Sequence, residues 1–241
     1  MKLLKIGLLV LISLLLTFCS SQETVFGNGV EKTKIITPKA FEKITTFTNA
    51  KITINQGDKF ELILNGDSNI IDNYLEIEVV KNDCIIKLKN GSYRDYRLFI
   101  NITLPKISGI KTLGSGAIHV NDFSNQSDMN LSLVGSGNIY INKINPILQL
   151  KSTIVGSGNI IFKENITINN VKLRLVGSGK YSGFKVNTKN YSISLPGSGD
   201  VELYASSKLN ASVPGSGDIF YKGNPKISFS SPGSGRLINA N

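Results

Sequence analysis

The tripeptide Gly-Ser-Gly recurs along the second half of this 241-residue chain, and no other feature restricts the fold so strongly. Its seven copies begin at Gly114, Gly135, Gly156, Gly177, Gly197, Gly215 and Gly233, at intervals of 21, 21, 21, 20, 18 and 18 residues. A unit of this length cannot bury a hydrophobic face by itself, whereas stacked units bury one continuous core. The repeat therefore predicts a solenoid in which each unit is one coil.

Residues on both sides of each tripeptide alternate between apolar and polar. Leu131-Ser132-Leu133 precedes the second copy, and Asn138-Ile139-Tyr140-Ile141 follows it. A period of two is typical of strands with one buried and one solvated face. Each coil is predicted to be a strand, a tight turn, a strand and a looser return. Seven such coils would stack as a parallel β-solenoid, at about 4.8 Å per strand.

The glycines of the tripeptides are predicted to be structural turn residues, because glycine tolerates positive φ and lets adjacent coils lie close together. They are Gly114, Gly116, Gly135, Gly137, Gly156, Gly158, Gly177, Gly179, Gly197, Gly199, Gly215, Gly217, Gly233 and Gly235. Proline precedes the last three copies, at Pro196, Pro214 and Pro232. Since Pro-Gly suits the centre of a type II turn, these coils are predicted to turn in that way.

The first 19 residues have the features of an export signal. Lys2 and Lys5 precede an apolar stretch at 6–16, which is shorter than the ~20 residues that span a bilayer. The segment ending in Phe18-Cys19 resembles a bacterial lipobox, in which Cys19 is acylated, although Phe18 replaces the usual Gly, Ala or Ser. The alternative is secretion after cleavage behind Ser21. The first interpretation predicts an outer-membrane lipoprotein that faces the periplasm or the surface, held only by its lipid.

The remaining chain divides into three predicted parts. Residues 20–37 are polar and are predicted to be a tether. Residues 38–107 read as strands without the tripeptide and form an irregular N-terminal β region, and residues 108–241 form the repeat. If Cys19 is acylated or removed, Cys84 has no partner, so the sequence predicts a small buried apolar residue there rather than a disulfide.

The sequence offers few groups for catalysis. His119 is the only histidine, and by alternation it faces outward, so a histidine-based triad or metal site is not predicted. Asp200 and Asp218 follow successive tripeptides and would lie side by side. They are candidates for holding a weakly bound ion or, with Glu202, for the carboxylate pair of a polysaccharide-acting enzyme. No cofactor is predicted, and the non-catalytic interpretation is favoured over the enzyme.

The net charge of +10 becomes +8 when Lys2 and Lys5 are removed with the signal (10 − 2). Such a balance favours anionic partners, but the lysines stand singly and without interleaved aromatic residues, so nucleic acid is not a predicted partner. The candidate ligand-binding residues are Tyr140, Glu202 and Phe220, on an outward column. The candidate partners are extended glycans, envelope proteins or a second copy paired through the edge of the last coil.

A longer pattern precedes the repeat: Phe41-Glu42-Lys43-Ile44, then Ile52 to Gly57, Asn69 to Asp72, and the stretch from Leu104 to Gly116. Over residues 38–241 the chain resembles the family called "putative auto-transporter adhesin, head GIN domain", short exported proteins of Bacteroidota. The resemblance implies an all-β, right-handed, single-stranded parallel β-helix. It also implies an adhesin of the cell envelope, and it supplies no catalytic residue.

Overall fold

A computed structural model describes residues 23–145 and 147–241 and shows a β-solenoid of about six turns, which confirms the predicted fold class. The seven tripeptides lie one above another at the same corner of successive coils. Gly114, Gly135, Gly156 and Gly177 are paired neighbours in the strand ladder. The predicted signal segment and Cys19 lie outside the described residues.

The described residues form 23 strands and one helical segment. The strands before the repeat are β1 (Thr24–Phe26), β2 (Glu31–Ile36), β3 (Lys43–Thr46), β4 (Lys51–Gln56), β5 (Glu61–Asp67), β6 (Leu75–Val80), β7 (Asp83–Leu88), β8 (Ser92–Arg94) and β9 (Leu98–Leu104), with a π-helical turn at Ile70–Tyr74. The strands of the repeat are β10 (Gly109–Gly114), β11 (Ala117–Val120), β12 (Phe123–Ser124), β13 (Met129–Gly135), β14 (Asn138–Ile141), β15 (Ile144–Asn145), β16 (Ile147–Gly156), β17 (Asn159–Phe162), β18 (Ile166–Gly177), β19 (Lys180–Ser194), β20 (Asp200–Ser212), β21 (Ile219–Lys222), β22 (Lys226–Ser230) and β23 (Leu237–Asn239).

The coils present two long ladder faces that meet at the tripeptide corner. We call the first the pre-turn face; its parallel strands are β3, β10, β13, β16, β18, β19, β20 and β22. The second is the post-turn face; its parallel strands are β4, β11, β14, β17, β19, β20, β21 and β23. The long strands β19 and β20 contribute to both faces, with a register irregularity where β19 passes between them.

The core is built from the inward side chains of both faces, stacked as apolar columns. Ile118, Ile139 and Ile160 form one such column, and each is at most 1% exposed. Burying a side chain of this size contributes about 1.5–3 kcal/mol relative to leaving it exposed. Cys84 is also fully buried, and burial raises the pKa of its thiol to about 12. The prediction that Cys84 is a packed apolar residue is confirmed.

Antiparallel strands cover the first coil. β7 pairs with β3 and β9 pairs with β4, in parallel, whereas β6 runs antiparallel to β7, and β5 and β2 continue the sheet from β9 in antiparallel order. Such a cap removes the open strand edge that the first coil would otherwise present. The irregular N-terminal region therefore completes the solenoid at this end.

The segment predicted to be a tether differs in the structure. Within residues 20–37, β1 pairs with β8 and β2 pairs with β5, so residues 24–36 belong to the folded domain. β2 has the sequence Glu-Lys-Thr-Lys-Ile-Ile, and its side chains are mostly exposed. Because it lacks the apolar-polar alternation of a half-buried strand, the sequence did not predict it. Charged side chains are common on edge strands, because they prevent further pairing.

The corner at the proline-containing coils also differs from prediction. A type II turn needs positive φ at the glycine after proline, yet positive φ occurs in the coils without proline, at 141° for Gly114, 123° for Gly135 and 119° for Gly156. Gly197, Gly215 and Gly233 do not have it. Proline has no N–H to donate to the strand ladder. β19 accordingly ends at Ser194, before the proline, whereas β18 in the preceding coil continues to the glycine at Gly177.

Candidate functional site

The outward side chains of the post-turn face form continuous columns, because equivalent residues are paired in register. The middle column contains His119, Tyr140, Ile161, Ser182, Glu202, Phe220 and Ile238. Each of these side chains is partly buried by its neighbours. The register thus aligns the column from which the sequence-predicted ligand residues were drawn.

Tyr140 is packed within this column. The His119 ring stacks on it with centroids 4.7 Å apart and planes 18° apart, and the Lys163 ammonium lies 5.1 Å from the Tyr140 centroid. Burial, together with the positive charges of Lys51 and Lys163, lowers the pKa of His119 below its ordinary value. This shift favours the neutral imidazole, which packs against the Tyr140 ring.

The acidic residues of the post-turn face pair within the ladder. Asp218 accepts hydrogen bonds from the Arg236 backbone N–H and guanidinium, which hold the pKa of that carboxyl below its usual value. Asp200 accepts one from the Asp218 backbone N–H at 3.2 Å, and Glu202 forms an ion pair with Lys180. Over residues 23–145 and 147–241 there is no group of three His, Cys, Asp or Glu side chains that would hold a metal ion.

The binding roles predicted for Tyr140, Glu202 and Phe220 therefore stay predictions. Tyr140 is stacked, Glu202 is ion-paired, and Phe220 lies between Glu202 and Ile238 in the same column. On the post-turn face, therefore, the acidic side chains already have partners and the Tyr140 ring is already packed. A ligand here would have to displace contacts that the ladder already makes.

The pre-turn face carries a different arrangement, which we call the basic groove. It is defined by Lys151 on β16, Lys172 and Arg174 on β18, Lys208 on β20 and Lys226 on β22. All five side chains are exposed, and in the described part of the chain none forms an ion pair with a carboxylate. Arg174 donates only to the Ser194 hydroxyl, at 3.3 Å. These positive charges are available to a ligand.

The basic groove consists of three adjoining depressions that cross successive strands. The central one has a volume of about 590 Å³, and the other two, of about 280 and 450 Å³, each share lining residues with it. Amides and hydroxyls line the space between the charges, at Gln149, Asn170, Asn190, Ser192 and Asn210. Asp128, at one end, is the acidic residue of the lining.

Like charges lie directly beside one another in the basic groove. Lys151 pairs with Lys172 on the neighbouring strand, and Lys208 pairs with Lys226 in the same way. Like charges on facing positions of adjacent strands destabilise a sheet. The post-turn face places opposite charges together at Lys180 and Glu202, whereas the pre-turn face places lysine beside lysine. A contribution to folding stability therefore does not explain the lysine pairs of the basic groove.

Sequence reasoning missed the basic groove, although a signal was present. Lys172 follows Lys151 by 21 residues and Lys226 follows Lys208 by 18, and these are the lengths of the coils concerned. Lysines that recur at the local repeat length must occupy the same column. The signal was hidden because the two pairs occupy different columns: Lys151 and Lys172 stand five residues before their tripeptides (156 − 151 and 177 − 172), whereas Lys208 and Lys226 stand seven before theirs (215 − 208 and 233 − 226).

Two further features concern partners. β22 and β23 each pair on one side, with β20 and β21, so the proposed self-association through this edge stays a prediction. In the part of the chain that the structure describes, no helix has the length and apolar character to cross a membrane.

Comparison with solved structures supports the fold. A protein of Bacteroides fragilis described as a putative adhesin superposes with a TM-score of 0.82 at 26% identity, covering 89% of this chain and 99% of that chain. A protein of Parabacteroides distasonis described as a putative lipid binding protein superposes with a TM-score of 0.72 at 25% identity, covering 90% of this chain and 100% of that chain. A putative adhesin from the same species superposes with a TM-score of 0.65 at 20% identity, covering 89% of this chain and 99% of that chain. At this identity the similarity shows the fold alone. No curated protein matches the chain.

The family model described as "Putative auto-transporter adhesin, head GIN domain" matches residues 40–225, which is most of the chain. The match includes the cap strands from β3 onward and all but the last coil of the repeat. It confirms the resemblance carried by the residues before the first tripeptide. The chain belongs to this adhesin family.

Proposed function

We propose that this protein is an exported, non-catalytic binding module that holds an extended glycan along its pre-turn face. The observation that supports the proposal is the basic groove, which is open, crosses several coils and is lined by amide, hydroxyl, ammonium and guanidinium groups. Sugar hydroxyls pair with such groups, and an extended polymer fits a surface that repeats along one axis. Membership of an adhesin family is in keeping with an exported or cell-surface protein that binds other molecules.

The non-catalytic part of the proposal rests on the partners of the carboxylates. A glycosidase needs one free acid and one free base or nucleophile beside the scissile bond. Asp218 accepts a hydrogen bond from the Arg236 guanidinium, and Glu202 forms an ion pair with Lys180. Asp200 accepts a hydrogen bond from the Asp218 backbone N–H. Each of the three carboxylates that the sequence offered for a polysaccharide-acting enzyme thus already has a hydrogen-bond or ion-pair partner, which supports the non-catalytic proposal.

The test is a binding screen with the full-length protein against neutral and acidic polysaccharides, followed on the best ligand with Lys172→Ala. We expect this variant to weaken binding, because it removes a central exposed contact of the groove. The matched control is Lys51→Ala, which removes an exposed lysine from the post-turn face. Equal loss in both variants, or no binding to any polymer, would contradict the proposed face. New reducing ends released from a bound polymer would contradict the non-catalytic assignment.

We also propose export with acylation of Cys19, which supports an envelope location. The support is the basic and apolar leader followed by the cysteine. Cells grown with labelled palmitate should incorporate label into the wild-type protein and not into a Cys19→Ala variant. Absence of label in both would favour secretion with cleavage after Ser21. Protease added to intact cells then separates a surface-facing protein, which is cut, from a periplasmic one.

A further inference from the structure

We infer that the ligand of the basic groove is a polyanion, an acidic polysaccharide whose carboxylate or sulfate groups sit on the two lysine pairs. This inference rests on the proposed function and names the class of glycan. Its starting observation is that five positive side chains line the groove without a carboxylate partner among the described residues. The post-turn face of the same coils shows that this sequence can compensate charge where no ligand is needed.

The lysine pairs are arranged to share an anion. Lys151 and Lys172 face each other across one strand spacing of about 4.8 Å, so one anionic group placed between them contacts both ammonium groups. Lys208 and Lys226 repeat this arrangement further along the solenoid. Their mutual repulsion, which destabilises the free protein, is relieved when an anion is bound. Charge-assisted contacts of this kind are about twice as strong as neutral ones.

The residues of β19 that line the groove between the two lysine pairs are uncharged, although the exposed Lys189 directly precedes them on the same strand. β19 contributes Asn190, Ser192 and Ser194 to this part of the face. Lys172 and Lys208 are two strands and two residues apart, which corresponds to about 12 Å between the pairs. A polymer with anions at intervals and hydroxyls between them matches this alternation. An isolated anion cannot reach both pairs.

Other polyanions match the groove less well. Single-stranded nucleic acid binds through bases stacked on exposed aromatic rings, and the one aromatic residue of the groove lining, Tyr191, is 1% exposed. A lipid surface would require apolar side chains that enter it beside the charges. The central part of the groove is lined instead by polar groups over a floor of buried residues, and Ile227, the exposed apolar residue of the lining, lies at the end of the groove on β22. Acidic polysaccharide is the occupant that uses both the charges and the amides.

The experiment compares polygalacturonate with its methyl-esterified form, which keeps the sugar chain and removes the charge. We expect the wild-type protein to bind the acid at least about tenfold more tightly, and to lose this preference as salt rises. The double variant Lys172→Gln/Lys208→Gln should bind the acid about tenfold more weakly and leave the ester unaffected. The control Lys51→Gln should retain the preference. A length series of the acid should show affinity rising until a chain reaches both pairs.

A second readout separates binding from structure. Because each glutamine removes a repulsion, the double variant should have an unchanged or higher melting temperature without ligand. A lowered melting temperature would mean that the lysines are structural, and would overturn the inference. Equal binding of acid and ester that still depends on groove residues would also overturn it, while leaving the proposed glycan function intact. No binding of either polymer would count against both. Tighter binding of anionic vesicles or of single-stranded DNA would assign the groove to another class of partner.

Discussion

Replacing Gly135 with alanine is expected to lower the free energy of unfolding by about 3 kcal/mol, because the change combines backbone strain with a steric clash. Gly135 has a φ of 123°, and a Cβ there would lie 2.4 Å from the Gly114 carbonyl oxygen of the preceding coil. That oxygen accepts the Ser136 and Gly137 N–H groups, so it cannot move away without loss of ladder bonds. Chemical denaturation followed by circular dichroism measures the change.

Two other variants separate the causes of this loss. Gly29→Ala places alanine at a φ of 72° with nothing within 4 Å of the new Cβ, so it isolates strain and should cost about 1 kcal/mol. Ser136→Ala changes an exposed side chain of the same corner and should stay within about 0.5 kcal/mol. If Gly135→Ala cost no more than Gly29→Ala, close contact between coils at the tripeptide would not explain the repeat.

The repeat made the solenoid predictable because its signal is local and periodic. Near-constant spacing of the tripeptides fixes the register of the coils, so the outward column through His119 and Tyr140 follows from counting residues. The same counting placed Asp200 next to Asp218. Counting could not show that Arg236 neutralises Asp218 or that Lys180 forms its ion pair with Glu202, since the side-chain conformations that form ion pairs are not encoded in spacing.

The cap and the basic groove were less predictable for a different physical reason. β2 is an edge strand of a cap without repeats, and its partner β5 lies about thirty residues away, so no periodicity announces the pairing. The lysines of the groove do recur at the coil length, but scattered lysines are also expected of a basic chain. Only the strand pairing shows that Lys151 lies beside Lys172 on the pre-turn face, while the lysine–carboxylate pair of Lys180 and Glu202 lies on the post-turn face.

The position of β2 depends on one buried carboxylate, and Asp67→Asn is expected to lower the free energy of unfolding by about 2 kcal/mol at neutral pH. Asp67 is 1% exposed and accepts the Arg97 backbone N–H at 2.7 Å and the Gly29 backbone N–H at 3.1 Å. The Arg97 guanidinium adds a bond at 3.3 Å, but it is half exposed and so contributes less. An asparagine would turn its NH₂ group toward one of these donors and leave that donor unpaired.

The effect of Asp67→Asn should depend on pH in a defined direction. Hydrogen bonds from Arg97 hold the pKa of the Asp67 carboxyl below its ordinary value in the folded protein, against the opposing effect of burial. A carboxyl with a lowered folded pKa stabilises the protein fully above its unfolded pKa of about 4, and this contribution is lost as the pH falls toward the folded pKa. The difference between wild type and variant should therefore be largest at pH 7 and shrink below about pH 4.

Asp58→Asn is the matched control for this titration. It makes the same chemical change at an exposed aspartate in the turn between β4 and β5, where the side chain has no hydrogen-bond partner among the described residues. Its stability at pH 7 should match the wild type within about 0.5 kcal/mol. If the free energy of unfolding differed between wild type and Asp67→Asn by the same amount from pH 7 to pH 3, the ionised state of Asp67 would not be what stabilises the cap. Because β5 is the one partner of β2 among the described strands, loss of the Gly29 contact should also expose β2 amides to hydrogen exchange before those of the coils.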